Sequence, residues 1–120
     1  MPNRSEKALR LYNEFVDAED AGDIDEAMDK LNQSVRLGEP MAHHVLAYYE
    51  FGKKEPRVAW ALRHYRAAAN GGFAPSAWNL ARHYEKVGKV GQFEKWMRCA
   101  ARLGDPEAQQ ELASRGIVPR

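Results

Sequence analysis

Cysteine occurs once in these 120 residues, at Cys99, so no internal disulfide can hold the chain and the fold must rest on a packed core. A reducing compartment suits such a chain, and the cytoplasm is the expected location. Long apolar runs are also missing. Stretches such as Val45 to Tyr49 last only a few residues, against the roughly 20 that a membrane-spanning helix needs. No membrane partner is expected. Met1 to Arg10 carries Arg4, Glu6, Lys7 and Arg10 with no apolar stretch behind them, unlike a secretory signal. Phosphate loop, dinucleotide fingerprint and nucleophile elbow are all absent, and no pair of acid–base groups stands at a catalytic spacing, so an enzyme is not expected.

What remains is the composition of a globular domain, with 44% apolar and 29% charged residues in a chain of ordinary domain size. One domain over residues 1–120 is expected. The net charge of +1 conceals an asymmetry: residues 1–60 hold 8 basic and 12 acidic side chains, and residues 61–120 hold 10 basic and 5 acidic. Seven carboxylates fall between Asp17 and Asp29 without one base: Asp17, Glu19, Asp20, Asp23, Asp25, Glu26 and Asp29.

Internal repetition decides the architecture. Glu39-Pro40-Met41-Ala42 followed by Tyr49-Glu50 recurs 35 residues later as Ala74-Pro75-Ser76-Ala77 followed by Tyr84-Glu85. Paired small residues before glycine recur at Ala68-Ala69-Asn70-Gly71-Gly72 and Ala100-Ala101-Arg102-Leu103-Gly104, and more weakly at Ser34-Val35-Arg36-Leu37-Gly38. Proline suits a helix's first turn and glycine the residue past its end. That punctuation predicts helices over 5–21, 23–37, 40–51, 56–70, 75–87, 92–102 and 106–114, with Ser5, Asp23 and Asp105 as N-caps. Links of two to five residues make neighbours antiparallel. Ala8, Leu11, Tyr12, Phe15 and Ala18 share one helical face, and Ala27-Leu31-Ser34, Ala61-Tyr65-Ala68 and Phe93-Met97-Ala100 repeat a small–large–small code for close helix packing. Phe15, Tyr49, Tyr65 and Tyr84 are expected in the core, and Cys99 as a buried, inert thiol.

At these residues the chain resembles tetratricopeptide-type repeats, and more narrowly the Sel-one-like repeat family. The early part of that family's unit is matched by Leu80-Ala81-Arg82-His83-Tyr84-Glu85 with Gly88. The later part is matched by Ala61 to Gly72 and by Lys95-Trp96-Met97-Arg98-Cys99-Ala100-Ala101-Arg102-Leu103-Gly104-Asp105-Pro106-Glu107-Ala108. The resemblance implies an all-α, right-handed α-solenoid of three antiparallel hairpins (about 5–38, 39–72 and 73–104) and a capping helix at 105–115, seven helices in all. It further implies a concave face that binds other proteins, and no catalytic residue.

By the 35-residue register the first helix of each hairpin presents Asn13 and Asp17, then His43, Ala47 and Glu50, then Trp78, Arg82, Glu85 and Lys86 to that groove. Trp78 offers the large, stiff contact area typical of binding hot spots, against the alternative that it packs on the next hairpin. Arg82 and Lys86, one turn apart, could receive a partner's carboxylate, or Arg82 could pair with Glu85 on a solvated face. The acidic run fits a basic partner or simple helix electrostatics. It fails as a calcium loop, because Ala21 and Met28 stand where oxygen donors are required. Metal and cofactor are not expected: adjacent His43 and His44 point about 100° apart, while His64 and His83 lie on other helices. Acid at one end and base at the other also allow head-to-tail self-association, of a weak kind if the chain is not a monomer. The other functional reading is nucleic-acid binding through Arg57, Arg63, Arg66, Arg82, Lys86, Lys89, Lys95, Arg98 and Arg102 with Trp60, Trp78 and Trp96, opposed by the near-neutral total charge.

Overall fold

The computed structural model describes residues 2–118; Met1, Pro119 and Arg120, which the expected domain includes, lie outside the described residues. Among the described residues there are seven helices and no strand: α1 (Arg4–Asp20), α2 (Ile24–Arg36), α3 (Pro40–Phe51), α4 (Val58–Asn70), α5 (Ala74–Lys86), α6 (Val90–Arg102) and α7 (Pro106–Ser114). The all-α class is therefore as expected. None of these helices is long and apolar enough to cross a membrane.

Helices pair in chain order, α1 with α2, α3 with α4 and α5 with α6, and α7 closes against α6. The pairing follows from the apolar stripes. Ala8, Leu11, Phe15 and Ala18 are the buried residues of α1, and Ala27, Leu31 and Ser34 those of α2. Ala42, Ala61, Ala68, Ala77, Ala81 and Ala100 are wholly buried, so backbones approach closely wherever the sequence offers only a methyl group. The core has two lobes. Phe15, Ala18, Ala27, Leu31 and Ala42 form one, and residues from Ala47 to Leu112 the other. Helix α3 belongs to both, through Ala42 and Ala47.

Boundary residues account for most differences from expectation. Asn3, not Ser5, caps α1, its side chain accepting from the Glu6 N–H at 2.8 Å. Asp23 and Asp105 cap α2 and α7 as expected. Helix α4 begins at Val58 rather than Pro56, because the Arg57 N–H is taken by the Glu50 carboxylate at 2.8 Å. Helix α6 begins at Val90, two residues before Gln92. After α4, Gly72 turns at φ +99°, a left-handed conformation that side chains resist, and lets the Phe73 N–H reach back to the Ala68 carbonyl at 3.0 Å. Its neighbour Gly71 meets another need: a Cβ there would lie 2.6 Å from Pro40 Cγ, so glycine lets the end of α4 approach the start of α3.

Candidate functional site

The first helices of the hairpins, with α7, form a row joined by side chains. The Tyr49 hydroxyl donates to Glu19 and its ring meets Phe15 edge-on, linking α3 to α1. His44 bonds the Ser76 hydroxyl at 2.7 Å and Phe51 lies against His83, linking α3 to α5. Arg82 reaches Glu111, linking α5 to α7.

The nine residues expected on this row do not stand together. Asn13 and Asp17 on α1, and Glu85 and Lys86 on α5, are exposed, and His43, Trp78 and Arg82 are half-buried. Ala47 and Glu50 must be removed from the groove, since they are 0% and 2% exposed. The reason is register. Pro40 and Tyr49-Glu50 align with Pro75 and Tyr84-Glu85 at 35 residues, but Leu46-Ala47 aligns with Leu80-Ala81 at 34, and burial follows the second alignment. Ala42, Ala47 and Glu50 are buried where Ser76, Ala77, Leu80, Ala81 and Tyr84 are buried on α5, so Glu50 occupies the place of core residue Tyr84. Helix α3 thereby turns His43, Ala47 and Glu50 towards α4 and leaves Tyr48 at the position of Arg82, 62% exposed.

Glu50 is a structural anion. It accepts from the Arg57 N–H at 2.8 Å, the Arg57 guanidinium at 2.9 Å and Lys53 Nζ at 2.9 Å, and these bonds hold its carboxyl down at about 2. His43, turned to α4, meets His64 with the two Nδ1 atoms 2.8 Å apart, and burial pushes both imidazoles below their ordinary value. Sequence spacing had put these histidines on separate helices, and only the hairpin brings them together. Among the described residues no three His, Cys, Asp or Glu side chains gather as metal ligands. Cys99 is half-buried rather than fully buried, and burial raises its thiol pKa, which disfavours the nucleophilic thiolate.

On α5 the expected carboxylate receptor is already engaged. Arg82 bonds Glu85 at 2.8 Å and Glu111 at 3.0 Å, and Arg115 bonds Glu85 at 2.6 Å and Glu111 at 2.8 Å. Trp78 lies under the Arg82 guanidinium, 4.3 Å from its ring centre, and packs on the larger core lobe. Arg82 is thus paired with Glu85, and Trp78 packs against the core lobe and not on a further hairpin. Lys86 alone of the expected pair stays exposed, beside a shallow cleft lined by Phe51, Asn79, Arg82 and His83.

A second apolar surface lies between α1 and α3. Tyr12, Phe15, Val16 and Glu19 from α1, with His44, Val45, Tyr48 and Tyr49 from α3, line a cleft of about 270 Å³. Burial, the hydrogen bond to Glu19 and that residue's charge raise the Tyr49 phenol to about 12; burial, Glu19 and Glu39 raise that of Tyr12. Sequence reasoning missed this cleft because it followed the 35-residue register, which hides Tyr48 and displays Ala47. The signal that could have found it is Leu-Ala at 46–47 and 80–81.

Comparison of the chain with protein-family models, with curated proteins and with solved structures finds no match.

Proposed function

We propose that this chain is a non-catalytic protein- or peptide-binding module, an adaptor of the tetratricopeptide-like, Sel-one-like kind whose hairpins stack as a right-handed solenoid and whose row of first helices receives the partner. The observation that carries this reading is the α1/α3 cleft, where Tyr48 stands 62% exposed beside half-buried Tyr12, Val16 and Val45. Aromatic side chains at a concave site present large area with few torsions to freeze, the usual character of a peptide-binding anchor. Nucleic-acid binding is the weaker reading, because Arg57, Arg82 and Arg98 among its expected contacts are paired with Glu50, Glu111 and Glu94.

Selection of peptides from a random library on the immobilised chain, followed by amide shift mapping of an enriched peptide, tests this function. Shifts centred on Tyr12, Val45, Tyr48 and Lys86 support it. Shifts centred on α2, α4 and α6, or no enrichment, refute it.

A further inference from the structure

Four aromatic rings from Trp60 onward carry a cation of their own. Arg57 lies 4.1 Å from the Trp60 ring centre, Arg82 4.3 Å from Trp78, Arg115 4.6 Å from Phe93, and Lys95 5.0 Å from Trp96. Among the described residues, the rings of the α1/α3 cleft have none. Tyr12, Phe15 and Tyr49 adjoin one another, with Tyr12 and Phe15 centroids 5.7 Å apart and Phe15 and Tyr49 6.5 Å apart, and Tyr48 stands beside them. Glu19 lines the same cleft, bonded to the Tyr49 hydroxyl, and neither it nor nearby Glu39 has a basic partner among the described residues. Asp17 and Asp20 flank Glu19 on α1, also without one.

We propose that the α1/α3 cleft receives the lysine or arginine side chain of a basic peptide segment on the partner, its stem lying along Val16 and Val45 and its cationic head facing Tyr12, Tyr48, Tyr49 and Glu19. This rests on the peptide-binding reading above and names the chemistry of the partner. Three features converge on a cation. Ring faces attract positive charge through their quadrupole. A carboxylate beside them adds a charge-assisted hydrogen bond. Finally, Glu19 places its negative charge against both flanking phenols, which burial first and then Glu19 hold above their ordinary value. An apolar peptide without a cation would leave Glu19 uncompensated, and an acidic one would be repelled.

The test uses three capped tripeptides, Leu-Lys-Leu, Leu-norleucine-Leu and Leu-Glu-Leu, titrated into the intact chain at millimolar concentration while side-chain resonances of the tyrosines are followed. Saturable shifts of Tyr12, Tyr48 and Tyr49 are expected with the lysine peptide, with affinity about tenfold weaker for norleucine and no saturation for glutamate. Glu19→Gln keeps an acceptor for the Tyr49 hydroxyl and should erase most of the lysine advantage while leaving norleucine binding unchanged. Tyr48→Ala, at an exposed position, should weaken both. Equal affinity for lysine and norleucine overturns the cationic assignment and leaves peptide binding standing. Absence of any saturable tyrosine shift overturns the cleft as the site, and the library selection then decides whether another surface carries the function. Sedimentation that shows self-association lost in Tyr48→Ala would overturn the assignment to a partner in favour of a second copy's basic half.

Discussion

Ala47 and Tyr48 are adjacent in sequence, and the two repeat registers assign them opposite places. At 35 residues Ala47 matches Arg82 and faces the groove; at 34 it matches Ala81 and is buried while Tyr48 matches Arg82. Substitution Ala47→Leu separates the two. The structure leaves Ala47 no exposed surface and sets it in the core lobe that includes Ala61, so the three added carbons have no outward route. Overpacking of this kind costs about 1–3 kcal/mol. With unfolding entropy of about 2.1 cal/mol/K per residue, a 120-residue chain shifts its melting temperature by about 4 °C per kcal/mol, so a fall of about 4–12 °C is expected. Tyr48→Ala, at a 62% exposed site, should stay within about 0.5 kcal/mol, or about 2 °C. Circular dichroism melts of the two variants beside the parent read both numbers. If Ala47→Leu melts with the parent while Tyr48→Ala falls by several degrees, helix α3 is rotated as the 35-residue register requires and the cleft described above does not exist.

Glu50, held at about 2 against an ordinary 4.5, contributes stability that is present above pH 4.5 and lost as pH falls from there through 2. Glu50→Gln should therefore melt below the parent at neutral pH and converge on it near pH 2, and parallel curves across that range would refute the assignment. His43 and His64 lie below their ordinary 6.5, chiefly through burial, with His43 and then Arg63 and Arg57 further lowering His64. They favour the neutral forms, so their contribution is present above 6.5 and lost as pH falls below it; a doubly substituted His43→Gln, His64→Gln chain should show a flatter melting curve over that interval. Ser34 is buried and its hydroxyl donates to the Ala8 carbonyl at 2.7 Å, tying α2 to α1. Ser34→Ala should cost about 1 kcal/mol in urea unfolding, and no measurable loss would show that the bond adds nothing beyond packing.

Much of this fold is legible in the sequence because helix packing writes itself in period. Ala61, Tyr65 and Ala68, or Phe93, Met97 and Ala100, can share one buried face only on a helix, and all six are buried. Phe15, Tyr65 and Tyr84 are buried as expected; Tyr49 is only half-buried, because its hydroxyl is drawn to the rim by Glu19. Helix ends were less legible where a distant group intervenes. Nothing local to Pro56 shows that Glu50 claims the Arg57 N–H and delays α4 by two residues. The site was harder still. A missing residue between Ala47 and Tyr49 relative to Ala81 and Tyr84 makes one sequence carry two registers, and choosing between them needs the burial of Ala47, which no single-chain pattern prints.

The proposed binding surface falls on α1 and α3 rather than α5 for a reason of charge. An ion available to a partner must not already be paired with an opposite charge, since breaking one ion pair to make another exchanges one bond for another and gains little. Arg82 is the most attractive cation by sequence, yet it and Arg115 share Glu85 and Glu111 in a closed four-residue network that fastens α7 to α5. Breaking it to admit a carboxylate would loosen the last helix. At the other end no cation among the described residues is paired with Asp17, Glu19 or Asp20, and three tyrosines line the cleft with Glu19. The first half holds four more acids than bases, so this end cannot be neutralised from within without drawing on the basic residues that fasten the second. The uncompensated charge and the exposed aromatic surface thus meet at one place, and a partner that is basic and partly apolar satisfies both.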